Sequence, residues 1–199
     1  MSVADQHPQL AEQQLPADSV IAVLLQQHAR IRRLFTDVNT SSGAARQAAF
    51  DQLRELLAVH EAGEEAVLRP VSRSLLGKEQ AAARNQEEHQ AAQTLAALET
   101  LDVHSRDFTA LFGRLEMDVA THAALEESEE FPAIVDNCSA QEQEKLGRRL
   151  LNAEKSAPTH AHPNVLGSTG SEHAVGPFAA LLDKVRDYFA RTASGKRER

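Results

Sequence analysis

The chain carries one short pattern twice. His60-Glu61-Ala62-Gly63-Glu64-Glu65, followed by Pro70, aligns with His122-Ala123-Ala124-Leu125-Glu126-Glu127, followed by Pro132, so that His, Glu, Glu and Pro recur 62 residues apart. Each copy has a further histidine upstream: His28 lies 32 residues before His60, and His89 lies 33 residues before His122. Such self-similarity constrains the fold, because both copies need equivalent settings in it.

Those settings are helical. Phe50, Leu53, Leu57, His60, Glu64 and Val67 step by three and four residues, the spacing of one inward face of a bundled helix. Leu115, Val119, His122 and Glu126 step the same way, as do Leu24, His28, Ile31 and Phe35. His28, His60, Glu64, His122 and Glu126 therefore point into a core. For His89 the stripe is weaker, running through Ala82, Ala92 and Ala96.

Composition agrees with an all-α chain, since Ala, Leu, Glu, Gln and Arg dominate, with no Trp and one Tyr. At 199 residues the chain suffices for one core with tails. The expected order is a tail (1–16), a helical domain (17–155), a linker (156–175) and a C-terminal amphipathic helix with a frayed end (176–199). Within the domain, Asp18 is read as the cap of the first helix, and Pro70 and Pro132 as the ends of the second and fourth. Ser105 is read as the cap of the fourth helix, and Ser139-x-x-Glu142 is a capping box that starts a fifth. In the C-terminal helix Phe178, Leu181, Leu182, Val185 and Phe189 share a side, expected to dock on the bundle.

The charge balance excludes several functions. With 21 Lys+Arg against 29 Asp+Glu, a net charge of -8, the chain lacks the basic stripe that nucleic acid requires. The longest apolar run, Val20 to Leu25, is too short to cross a bilayer. A single cysteine, Cys138, and a start without a secretory pattern give a cytoplasmic expectation.

Two inward glutamates among four histidines are too costly to bury without a cation. Imidazole and carboxylate donors without thiolate suit Fe, Mn or Zn, and two carboxylates on opposite helices each able to bridge favour two ions over one. Glu65, Glu127, Glu129 and Glu130 are read as a solvated acidic rim, His104 as exposed, and the linker histidines His160, His162 and His173 as disordered in preference to a secondary metal or lid role.

At this point the pattern, over about residues 18 to 135, resembles the hemerythrin-like family, named for its His-His-Glu motif. The resemblance implies an up-and-down four-helix bundle, here with an extra helix and the C-terminal helix. It implies a non-haem di-iron centre, oxo- or hydroxo-bridged, with His28, His60, Glu64, His89, His122 and Glu126 as ligands and the two glutamates as bridges. Glu61 is a further oxygen ligand in some carboxylate-rich relatives, against a reading as a surface glutamate. Where oxygen-carrying members have a fifth histidine this chain has Gln93, a departure from the pattern of reversible O2 carriers.

The leading expectation is chemistry with small oxidants: catalase-like peroxide disproportionation first, then O2 or NO binding, in oxidative or nitrosative stress or iron homeostasis. Two readings stand beside it, an iron- or oxygen-sensing or storage module without turnover and a metal-free helical interaction protein.

Overall fold

The computed structural model describes residues 15–156, 182–187 and 191. The expected tail except its last two residues, and the expected linker except Ser156, lie outside the described residues, as do His160, His162, His173 and Tyr188. Helices make up the fold: α1 (Val20–Thr40), α2 (Gly43–Gly63), α3 (Arg69–Leu76), α4 (Lys78–Leu98), α5 (Arg106–Leu125), α6 (Phe131–Asn137) and α7 (Ala140–Ser156). There is no strand among the described residues, and no helix there is long and apolar enough to cross a membrane.

Side-chain caps set three of the seven described helix starts. Ser19, not Asp18, caps α1, its Oγ accepting the Ala22 N–H at 3.2 Å. Ser105 caps α5 by accepting the Phe108 N–H at 3.0 Å. The capping box closes α7 from both sides, Ser139 N–H donating to Glu142 and Glu142 N–H to Ser139 Oγ. Gly77, at φ 97°, adopts the left-handed conformation that lets α3 turn into α4.

Pro70 and Pro132 do not end their helices. Each makes the preceding turn widen into a π-turn, Glu64–Leu68 after α2 and Glu126–Glu130 after α5, and the chain continues as α3 and α6. Proline has no N–H, and its ring clashes with the carbonyl four residues back. The residue before it bonds five back instead, Arg69 N–H to Glu64 O and Phe131 N–H to Glu126 O. In the first copy the carbonyl freed by Pro70, that of Ala66, accepts from Arg149 of α7 at 3.4 Å.

The four long helices run up and down around one core. Asn39 bonds to Glu116 and Arg32 to Glu127, so α1 and α5 are antiparallel. Gln80 to Glu129 and His122 to Glu87 give the same relation for α4 and α5. Phe35, Phe50, Phe108 and Phe112 form one contiguous aromatic cluster, with Phe108 stacked on Phe112 at 5.4 Å. The extra helix α7 lies along α1, where Gly147 allows contact so close that an added Cβ would meet Asp18 O at 2.0 Å. The described helical residues 182–187 bring Leu182 and Val185 into the same core, and Arg186 pairs with Glu65 at 2.8 Å.

Candidate metal centre

Both π-turns begin at the inward glutamates of the repeat, Glu64 and Glu126, which are fully buried. Around them the bundle brings two groups of donor atoms together. His28, His60, Glu64 and Glu126 form one, and Glu64, Glu88, His122 and Glu126 the other, with the atoms of each within 4.8 Å of one another. The two glutamates belong to both groups.

Each histidine is held from outside and directed inward. His28 Nδ1–H donates to Glu127 at 2.7 Å, His60 Nδ1–H to Gln27 Oε1 at 3.0 Å, and His122 Nδ1–H to Glu87 at 3.0 Å. The opposite nitrogens face the shared carboxylates, His28 Nε2 at 3.5 Å from Glu126, His60 Nε2 at 3.5 Å from Glu64, and His122 Nε2 at 3.2 Å from Glu126. Metal-binding imidazoles are oriented in this way, by a partner on the ring nitrogen turned away from the ion. His28 Nε2, His122 Nε2, both Glu64 oxygens and Glu126 Oε2 are buried without a hydrogen-bond partner. Buried polar atoms with no partner are rare, and this set converges on one spot, as cation ligands do.

Electrostatics show the same demand for positive charge. Burial lowers the pKa of His28, but Glu126, Glu127 and Glu64 outweigh it and push the group up to about 9. Burial is likewise overcome at His122 by Glu126 and Glu64, which push it up to about 12. His60, buried and touched by fewer carboxylates, is shifted down. Burial and neighbouring carboxylates raise Glu88 to about 8 against the pull of Arg69.

The structure brings together five of the six residues expected to form the centre: His28, His60, Glu64, His122 and Glu126. His89 is corrected: it is exposed, its Nε2 accepting from Gln93 at 3.0 Å, and Glu88 beside it occupies the inward position. Glu61 joins neither group. It lines a cavity of about 420 Å³ that reaches His28, His60, Glu64 and His122 and is walled by Ile31, Phe35, Leu57 and Val119.

The acidic rim is also corrected. Glu127 and Glu130 are buried, Glu127 against His28 and Arg32, and Glu130 against Arg69 at 2.8 Å and 2.9 Å. Glu129 and Glu65 are exposed, as expected. Glu88 had one readable signal. Leu95 and Leu98 are the only leucines of α4, and stepping back seven from Leu95 reaches Glu88, not His89. Arg69 had none, because its position is set by the π-turn.

Fold and site together define a helical bundle with a built cation-binding centre. The family model of the hemerythrin HHE cation binding domain matches residues 19–134, and the chain belongs to that family. An uncharacterised hemerythrin-like protein of Schizosaccharomyces pombe is 29% identical over 134 residues, 66% of this chain and 66% of that protein's length. A crystal structure of a hemerythrin HHE cation binding domain-containing protein of Mycobacterium kansasii superposes with a TM-score of 0.63 at 20% identity, covering 69% of this chain and 86% of that one.

Proposed function

We propose that this protein holds two iron ions in an oxo- or hydroxo-bridged non-haem centre and uses them on small oxidants. Hydrogen peroxide is the first substrate, two molecules giving one O2 and two waters, and O2 and NO are alternative ligands. The carrying observation is the three imidazoles held at Nδ1 and aimed by Nε2 at two shared glutamates. Nitrogen and oxygen donors without thiolate suit iron or manganese, with zinc the redox-silent option.

When bound, the ions supply Lewis-acid and redox chemistry. The chain's residues do the rest. Four protein donors per group leave coordination positions for small ligands. Ile31, Phe35, Leu57 and Val119 give the approach through the cavity an apolar wall. Glu61 faces the same cavity beside the donor residues, so it is placed to exchange a proton with a reacting oxygen. Small molecules are the partners in this reading, and the cytoplasm is its setting.

The test is elemental analysis of untagged protein followed by peroxide turnover. About two iron atoms per chain are expected, with O2 release that Glu64→Ala and Glu126→Ala abolish. Less than about one transition-metal atom per chain after anaerobic reconstitution would overturn the reading in favour of a metal-free interaction protein. Two bound ions without peroxide turnover would favour the sensing or storage module.

A further inference from the structure

Arg69 makes the two halves of the centre unequal. Its Nη2 contacts Glu88 Oε1, lies 3.3 Å from Glu126 Oε1 and lies 3.8 Å from Glu64 Oε2. The same three oxygens face His122 Nε2, at 3.9, 3.2 and 3.8 Å. The other oxygens of the shared glutamates, Glu64 Oε1 facing His60 and Glu126 Oε2 facing His28, have no hydrogen-bond partner. One group of donors is open to a cation, whereas in the other Glu88 Oε1 and Glu126 Oε1 are already hydrogen-bonded to a guanidinium, with Glu64 Oε2 near it but without a hydrogen bond.

The repeat shows where the difference arises. Arg69 and Phe131 hold equivalent places, each directly after a π-turn and each donating its N–H five residues back. Phe131 stacks on the His28 ring at 5.6 Å and closes that side with an apolar surface. Arg69 instead reaches into the His122 side, while its Nη1 donates to both oxygens of Glu130. Glu130 belongs to neither donor group, so it can keep the guanidinium paired if Nη2 leaves the centre.

We propose that Arg69 competes with the second cation for Glu64, Glu88 and Glu126, so that the His28–His60 position fills first and the His122–Glu88 position fills only as Arg69 withdraws onto Glu130. This rests on the dinuclear reading of the site. The one-ion protein is then a populated state, and Arg69 sets the concentration at which the second ion enters.

The test is an anaerobic Co2+ titration of chelator-stripped full-length protein, followed by its visible spectrum against a competing chelator. Wild type is expected to bind in two steps, the second at least about tenfold weaker. In Arg69→Met the second step tightens at least about tenfold while the first changes less than about threefold. Equal steps in wild type, or a second step no tighter in the variant, would overturn the proposal. No bound ion in wild type would instead overturn the dinuclear reading itself. A measurement on wild type covers the case in which the variant does not fold. With Zn2+, one buried arginine guanidinium NMR signal should hold through the first equivalent and shift with the second, whereas a shift complete at the first equivalent would sink the idea.

Discussion

His28 Nδ1 and Glu127 Oε1 lie 2.7 Å apart with both side chains shut off from solvent, and this contact fixes which nitrogen of His28 faces the centre. Removing the acceptor frees the ring to turn and to change tautomer. Glu127→Ala should lower metal affinity by about 10- to 100-fold, and Glu127→Gln, which keeps an acceptor oxygen, should lower it less. Chelator competition measures both. Unchanged affinity in the alanine variant would mean that stacking on Phe131 alone holds the ring.

Glu88 and His89 are neighbours with opposite fates, one in the second donor group and the other exposed. Glu88→Ala should cost one bound ion per chain, by elemental analysis, and leave the first in place. His89→Ala should leave stoichiometry and thermal stability unchanged, since surface substitutions rarely move stability by more than about 0.5 kcal/mol. An ion lost in the histidine variant would restore it to the ligand set.

The metal-stripped and metal-loaded proteins should respond to pH in opposite directions. In the stripped protein His28 titrates at about 9, above its unfolded value of 6.5. The folded state therefore binds its proton more tightly, and that stability is complete below pH 6.5 and lost as pH rises through about 9. Glu88, raised to about 8 from 4.5, acts in the same direction over its own range. His60, shifted down, has already lost its proton above 6.5 and contributes no slope there. The melting temperature of stripped protein should thus fall between pH 7 and 9.5. Loaded protein should instead lose its ions, and the stability they confer, on acidification below about pH 6, because protons compete for the same imidazoles. Full metal retention at pH 4.5 would contradict the histidine assignment.

Gly147 and Gly113 are both helical glycines, yet they should respond differently to alanine. At Gly147 a Cβ would lie 2.0 Å from Asp18 O, a backbone atom that cannot step aside without moving the start of α1. Gly147→Ala should destabilise by about 1–3 kcal/mol or more. At Gly113 a Cβ meets nothing within 4 Å, so Gly113→Ala should stabilise by up to about 1 kcal/mol through helix propensity. Denaturant unfolding of the two variants reads the contrast, and metal stoichiometry should be unchanged in both.

Legibility of the site followed the strength of the stripes that carry it. His60 and Glu64 sit in phase with Phe50, Leu53, Leu57 and Val67, all of which are buried, so their direction could be read without the fold. On α4 the inward-facing stripe is mostly alanine and charge, Ala81, Arg84 and Glu88 before Leu95 and Leu98, and an error of one residue moved the assignment from Glu88 to His89. The prolines misled for a different reason. Pro70 and Pro132 forbid one hydrogen bond each, but whether a helix then stops or widens depends on what takes up the freed carbonyl, and for Pro70 that partner is Arg149, on a helix 79 residues further along the chain.

By itself the sequence determined the helical class, the caps at Ser105 and Ser139, and the inward direction of His28, His60, Glu64, His122 and Glu126. Each of these rests on local backbone chemistry or on a period shared with strong hydrophobes. Tertiary structure alone decided the rotation of α4, the burial of Glu127 and Glu130, and the reach of Arg69 into one half of the centre. Those depend on contacts between helices far apart in the chain, where the pairing of buried charges, not local propensity, selects the arrangement.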